Sequence, residues 1–222
     1  MIPAVQELAV LYKAAADRER SLAMSKYMKG LFVFYGIPSP LRKEIQKEWY
    51  DSTIKNSDID IRILIIDLWN QKEREFHYAA IDLHIRQPKK FIQAADNELM
   101  EFLITTHSWW DSIDLIASHF FGNYYRQFPI EGAKLIEKWR HSDNIWLNRS
   151  CLLCQLKFKK ETDFELQTSL IEQFQEKKEF FIQKAIGWSL REYSKTNPTA
   201  VKSFIEKVNL QGLAKREGSK YI

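Results

Sequence analysis

Apolar residues recur three and four positions apart along most of the chain. Leu8, Leu11 and Tyr12 fall on one helical face, as do Ile61, Leu64, Ile65 and Leu68. Ser39-Pro40 ahead of LRKEIQKEW sets a Ser cap before a Pro at the first helical position. Asp58, Asp143 and Asn197-Pro198 mark further starts. No period-2 run bounded by turn residues interrupts this pattern. It predicts about twelve helices of roughly 10–17 residues with short connections, an all-α chain.

Four of these segments resemble one another. REFHYAAIDL from Arg74, SWWDSIDLIA from Ser108, NIWLNRSCLL from Asn144 and EFFIQKAIGW from Glu179 each open on aromatics and continue in small and aliphatic residues, at spacings of 34, 36 and 35 residues. Ordinary amphipathic helices can fall so by chance. A helix pair repeated every 35 residues instead predicts an α-solenoid, here one domain over residues 1–222. The concave face of a solenoid can hold an elongated partner such as a duplex.

Composition agrees with helices. Seven glycines and six prolines in 222 residues are too few for the turns of a sandwich or barrel. The net charge is only +4, but it is unevenly spread. From Arg140 onward there are 15 Lys and Arg against 10 Asp and Glu; before it, 18 against 19. A basic C-terminal part suits a polyanion and equally an ordinary solvated surface. Cys151 and Cys154 form a lone CxxC with no second pair to complete a zinc site, so they read as two buried thiols on one helix. The N-terminal segment is too polar for a signal peptide or membrane span, which predicts a cytoplasmic protein. No GxG, GxSxG or HExxH is present, and the five histidines lack ligand spacing. Neither a cofactor nor a metal is expected.

Within His107-Ser108-Trp109-Trp110-Asp111-Ser112-Ile113-Asp114, Trp110 and Asp114 are four apart and stack on one helical face. An indole face beside a carboxylate favours a developing cation. A core Trp with a surface Asp is the plainer alternative. Lys184, Trp188 and Arg191 share another face, a basic–aromatic–basic stripe able to grip phosphates and offer a ring to a sugar or base. Tyr27 between Lys26 and Lys29 is a similar, smaller cluster.

YMKGLFVFYGIPSPLRK (27–43), SWWDSIDLIA (108–117), DNIWLNRSCLLCQLKFK (143–159), EFFIQKAIGWSLREYSKTNP (179–198) and AKRE (214–217) closely resemble the AlkD family of bacterial DNA glycosylases, which are built from HEAT-like repeats. The resemblance implies a base-excision-repair enzyme. Its reaction would be hydrolysis of the N-glycosidic bond of cationic N3- and N7-alkylated purines, such as 3-methyladenine and 7-methylguanine, in double-stranded DNA. It implies Asp114 as the catalytic carboxylate, with Trp110 and Trp188 flanking the lesion's deoxyribose. It implies Arg149, Lys157 and Arg191 at the DNA backbone, and Tyr27, Ser39, Arg42 and Lys43 in a further DNA-contacting region. The stripe adds Lys184. The family leaves the base in or near the stack, so no enclosing pocket is expected. A monomer best exposes a duplex-sized groove. The competing readings are a non-catalytic DNA-damage binder and a protein-binding helical scaffold.

Overall fold

The computed structural model describes all 222 residues, Met1–Ile222. The chain is all-helical: α1 (Pro3–Ala14), α2 (Arg18–Tyr27), α3 (Ser39–Trp49), α4 (Ile61–Trp69), α5 (Arg74–Arg86), α6 (Asn97–Thr105), α7 (Trp110–Leu115), α8 (Gly122–Gln127), α9 (Pro129–Arg140), α10 (Ile145–Leu153), α11 (Phe164–Phe174), α12 (Phe180–Ser194), α13 (Pro198–Lys207) and α14 (Gly212–Gly218). The only extended pairing is one parallel bridge, Val33 to Glu73.

The repeat is carried by the helices. Arg74, Trp110, Ile145 and Phe180 open α5, α7, α10 and α12 at intervals of 36, 35 and 35 residues. Several helices are shorter than the expected 10–17 residues, because the chain is cut more finely than periodicity alone reveals. A π-helical segment, Ile116–Phe121, joins α7 to α8 in one continuous rod, and a second, Tyr50–Ile54, extends α3.

The helix starts follow their caps. Asn197 caps α13 as expected, its side chain accepting from the Ala200 N–H at 3.0 Å. The start expected at Asp58 falls two residues later, where Asp60 accepts from the Arg62 N–H. The start expected at Asp143 falls at Asn144, which accepts from the Trp146 N–H. Ser39 is not a cap but the first helical residue of α3, and Pro38 precedes it in extended conformation. A cap is fixed by which side-chain oxygen reaches the free N–H groups, and neighbouring Asp, Asn and Ser residues compete for that place.

The chain divides into two compact units, Met1–Pro88 and Lys89–Ile222. The first packs Val5, Leu8 and Tyr12 of α1 with Leu64, Ile65, Leu68 and Trp69 of α4 and Phe76 of α5. Trp49 donates its indole N–H to the Ala4 carbonyl, and Gln46 donates to the Tyr12 hydroxyl. The loop between α2 and α3 is held by Glu75, a fully buried residue whose carboxylate accepts from the N–H groups of Tyr35, Gly36 and Ile37 at 3.0–3.3 Å. Gly36 takes φ +89°, and a Cβ there would lie 2.1 Å from the Asp17 carbonyl oxygen, so only glycine serves.

The second unit buries Ile113, Phe121, Trp139, Leu153, Ile171, Phe174, Ile182, Ile186, Leu190 and Val201. Asn148, fully buried on α10, donates to the carbonyls of Trp139 and Ser142 and accepts from Lys177, so its polar cost is offset on every side. Cys151 and Cys154 are buried free thiols, and burial pushes the Cys154 thiol up to about 12. Neither is a thiolate at neutral pH.

Candidate active site and nucleic-acid interface

α7 begins where the chain turns out of extended structure at Trp109 (φ −159°). Four residues on from Trp110, Asp114 lies in the second turn of this short helix, which gives the two the shared face that their spacing predicts. The Asp114 carboxylate meets Arg149 of α10 in a two-pronged pair: Nε to Oδ1 at 2.8 Å and Nη2 to Oδ2 at 3.0 Å. Arg149 also donates from Nη1 to the Phe181 carbonyl in the first turn of α12. One guanidinium therefore ties three successive repeat helices together. Ser118, within the π-helical segment, donates its hydroxyl to the Asp114 carbonyl at 2.6 Å.

The Arg149 side chain is only 4% exposed and that of Asp114 15%. Burial raises the Asp114 carboxyl above its ordinary value, the Arg149 pairing opposes this, and nearby Asp111 adds to the rise. The fork-on-carboxylate geometry is that of an ionised pair. Trp109, Trp146 and Phe181 pack around this junction, with Trp109 5.0 Å from Phe181 edge-on, Trp146 5.1 Å from Phe181 and the two indoles 5.7 Å apart. Helical spacing points to Trp110 and gives no function to this aromatic trio, although the SWW and NIW segments contain two of its members.

Lys184, Trp188 and Arg191 all lie on α12, as the stripe requires. Trp188 is half-buried. Both cations reach one carboxylate, Glu217 of α14: Arg191 Nη1 at 2.8 Å and Lys184 Nζ at 3.3 Å, with Lys220 Nζ joining at 2.8 Å. Hydrogen bonding from Lys220, with the Lys184 bond and charge added, outweighs burial and holds Glu217 down at about 2. Neither Glu217 nor Lys220 stands out in the sequence as a site residue, although AKRE, which ends at Glu217, is one of the resembling stretches.

Lys157 is exposed, its carbonyl accepting from Arg126. His119 is lowered from its ordinary value first by burial and then by Lys157. In the first unit Tyr27 is 70% exposed, and Ser39 and Lys43 are also exposed. Arg42, expected in the same DNA-contacting region, is placed differently from these three. It is buried, its guanidinium 4.4 Å above the Tyr78 ring and 3.6 Å from Asp82. It shares the inner face of α3 with Gln46 and Trp49, which turns it away from solvent.

No group of His, Cys, Asp or Glu is arranged to hold a metal ion, and no helix is long and apolar enough to cross a membrane.

An all-helical repeat chain with an oriented carboxylate on one helix and a basic, aromatic face on another has the parts of a protein that works on DNA. Residues 9–222 match the model of the DNA alkylation repair enzyme family, and the chain belongs to that family. The chain is also similar to a solved structure described as a predicted DNA alkylation repair enzyme from Enterococcus faecalis. The two share 36% identity over 93% of this chain and 96% of that one, with a TM-score of 0.82. No curated protein matches the sequence.

Proposed function

We propose that the protein is a DNA glycosylase that releases cationic N3- and N7-alkylated purines from duplex DNA, with Asp114 as its catalytic carboxylate. The observation that carries this reading is the Asp114–Arg149 pair on the Trp110 face. Alkylation at N3 or N7 gives the purine a positive charge, so the base already leaves well without a protonating acid. What needs stabilising is the positive charge that grows on the sugar as the bond to C1′ breaks. Asp114 answers that need. Arg149 occupies one lone pair on each carboxylate oxygen and fixes the group's orientation. A carboxylate has about four acceptor sites, so roughly two remain for water and for the sugar's developing charge.

Preorganised charge of this kind lowers the barrier by about 3–4 kcal/mol, roughly 10²–10³ in rate. The rings of Trp110 and Trp188 each add about 0.5–2 kcal/mol by cation–π attraction to the same charge. Lys157, Lys184 and Arg191, with Tyr27, Ser39 and Lys43 in the first unit, bind the phosphate backbone. Arg149, expected at the DNA backbone, is buried with its guanidinium committed to Asp114 and the Phe181 carbonyl, and acts by holding Asp114. Because the base supplies its own charge, neutral lesions react poorly. Catalysis that acts on the sugar without enclosing the base also tolerates bulky N7 adducts.

The test is incubation of the purified protein with a duplex carrying a single N7-methylguanine. The reading predicts free base and an abasic site. Binding without release would make the protein a damage binder, and no binding would leave a protein scaffold.

A further inference from the structure

Around Glu217 the charges are arranged in a particular order. The carboxylate is innermost, its side chain 9% exposed, while Arg191, Lys184 and Lys220 around it are 25%, 39% and 47% exposed. One anion therefore carries three cations and leaves a local surplus of two positive charges facing outward. The backbone is built to permit this. Gly187 of α12 sits where a Cβ would lie 2.4 Å from the Glu217 Cβ and 2.9 Å from the Ala214 carbonyl oxygen. Glycine thus lets α14 approach closely enough for Glu217 to reach cations on α12. Lys184 and Arg191, seven residues apart, converge on its two oxygens, with Gly187 and Trp188 between them along the same helix.

A purely structural ion pair needs one cation for one anion. A buried carboxylate with three cations on its outer side instead fixes flexible side chains in one place before a ligand arrives, reducing the entropy that each loses on binding. We infer that Lys184, Arg191 and Lys220 form a preorganised cradle for a backbone phosphate of the duplex, with Glu217 as its positioning residue and Lys220 as a phosphate ligand in its own right. The inference rests on the DNA reading above and extends it to two residues outside the recognised stripe. Its ligand is a phosphodiester, and its place is beside Trp188, so it anchors the strand whose sugar that ring would meet.

The two new roles have separate signatures. Removing one phosphate-binding cation lowers the slope of log affinity against log salt by about one. Lys220→Met should show that decrease. Glu217→Gln raises the net charge by one, so bulk electrostatics predicts tighter binding and a steeper slope. The cradle predicts the opposite sign: about tenfold weaker binding and a shallower slope, because the cations lose their anchor and repel one another. In a Lys184→Met/Arg191→Met/Lys220→Met background, where Glu217 has no cation left to position, Glu217→Gln should have little further effect on affinity, whereas a folding defect would persist there. The experiment is a salt titration of binding to a fluorescent duplex by the parent protein and these variants. An unchanged slope in Lys220→Met, or tighter binding by Glu217→Gln, with the parent binding normally, would overturn the cradle alone. A parent that does not bind duplex would overturn the DNA reading and the cradle with it.

Discussion

Each unit of the molecule buries an arginine beside an aspartate, and the two pairs differ. Arg42 stands 3.6 Å from Asp82 at its nearest, and Arg42 Nη1 and Asp82 Oδ2 are buried without a hydrogen bond. Its guanidinium is held largely by the Tyr78 ring. Arg149 grips Asp114 with both prongs and commits a further N–H to the Phe181 carbonyl. Burial raises both aspartates. The first pair is loosely satisfied charge in a helix interface. The second has a fixed orientation, which an electrostatic catalyst requires, since a carboxylate that must reorient during the reaction loses part of its advantage.

The sharpest contrast is in stability. Arg149→Met leaves Asp114 buried without its cation and should cost about 3–5 kcal/mol, read as a lower urea midpoint. Arg42→Met should change stability by only about 1 kcal/mol, because Asp82 is a third exposed and its pairing is long. Equal losses would remove the distinction between the two pairs.

Acidity separates Asp114 from Glu217. Under the proposed mechanism base release needs ionised Asp114, whose carboxyl burial raises above its ordinary 3.8. The single-turnover rate should therefore fall about tenfold per pH unit on an acid limb that lies above 3.8. Glu217 is depressed to about 2, so its contribution to stability is fully present above its ordinary 4.5 and is lost only as pH falls through about 2. On the acid limb, duplex binding through the Lys184–Arg191 face should outlast catalysis. Parallel loss of binding and rate would break this separation.

The indoles should matter less. Trp110→Ala and Trp188→Ala should each slow bond cleavage by about 0.5–2 kcal/mol, less than the change at Asp114. Pre-steady-state rates of these variants beside Asp114→Asn give the order directly, and a larger effect at either Trp would move the chief stabiliser from the carboxylate to the ring.

What could be read from the residues follows from how local each signal is. The starts of α5, α7, α10 and α12 repeat at about 35 residues because each opens a helix with the same aromatic-then-aliphatic face. Trp110 with Asp114, and Lys184 with Trp188 and Arg191, follow from helical geometry alone. The pairing of Asp114 with Arg149 joins residues 35 positions apart, one repeat period, and only packing between α7 and α10 brings them together. Glu217 likewise reaches Arg191 across 26 positions. The burial of Arg42 has a more local sign: Arg42, Gln46 and Trp49 form a helical stripe, and a stripe that ends in Trp is an inward face. The π-helical segment after Asp114 has no separate signal in the sequence, since its six residues are too few to establish a period of their own.

The central claim is that Asp114 stabilises the sugar's charge. Single-turnover release of N7-methylguanine by the parent and by Asp114→Asn, at protein concentrations that saturate the duplex, tests it most directly. The account predicts a rate lower by about 10²–10³ in the variant with affinity for the duplex retained. A variant that releases the base at the parent's rate would contradict it and leave the Asp114–Arg149 pair a structural clasp between helices.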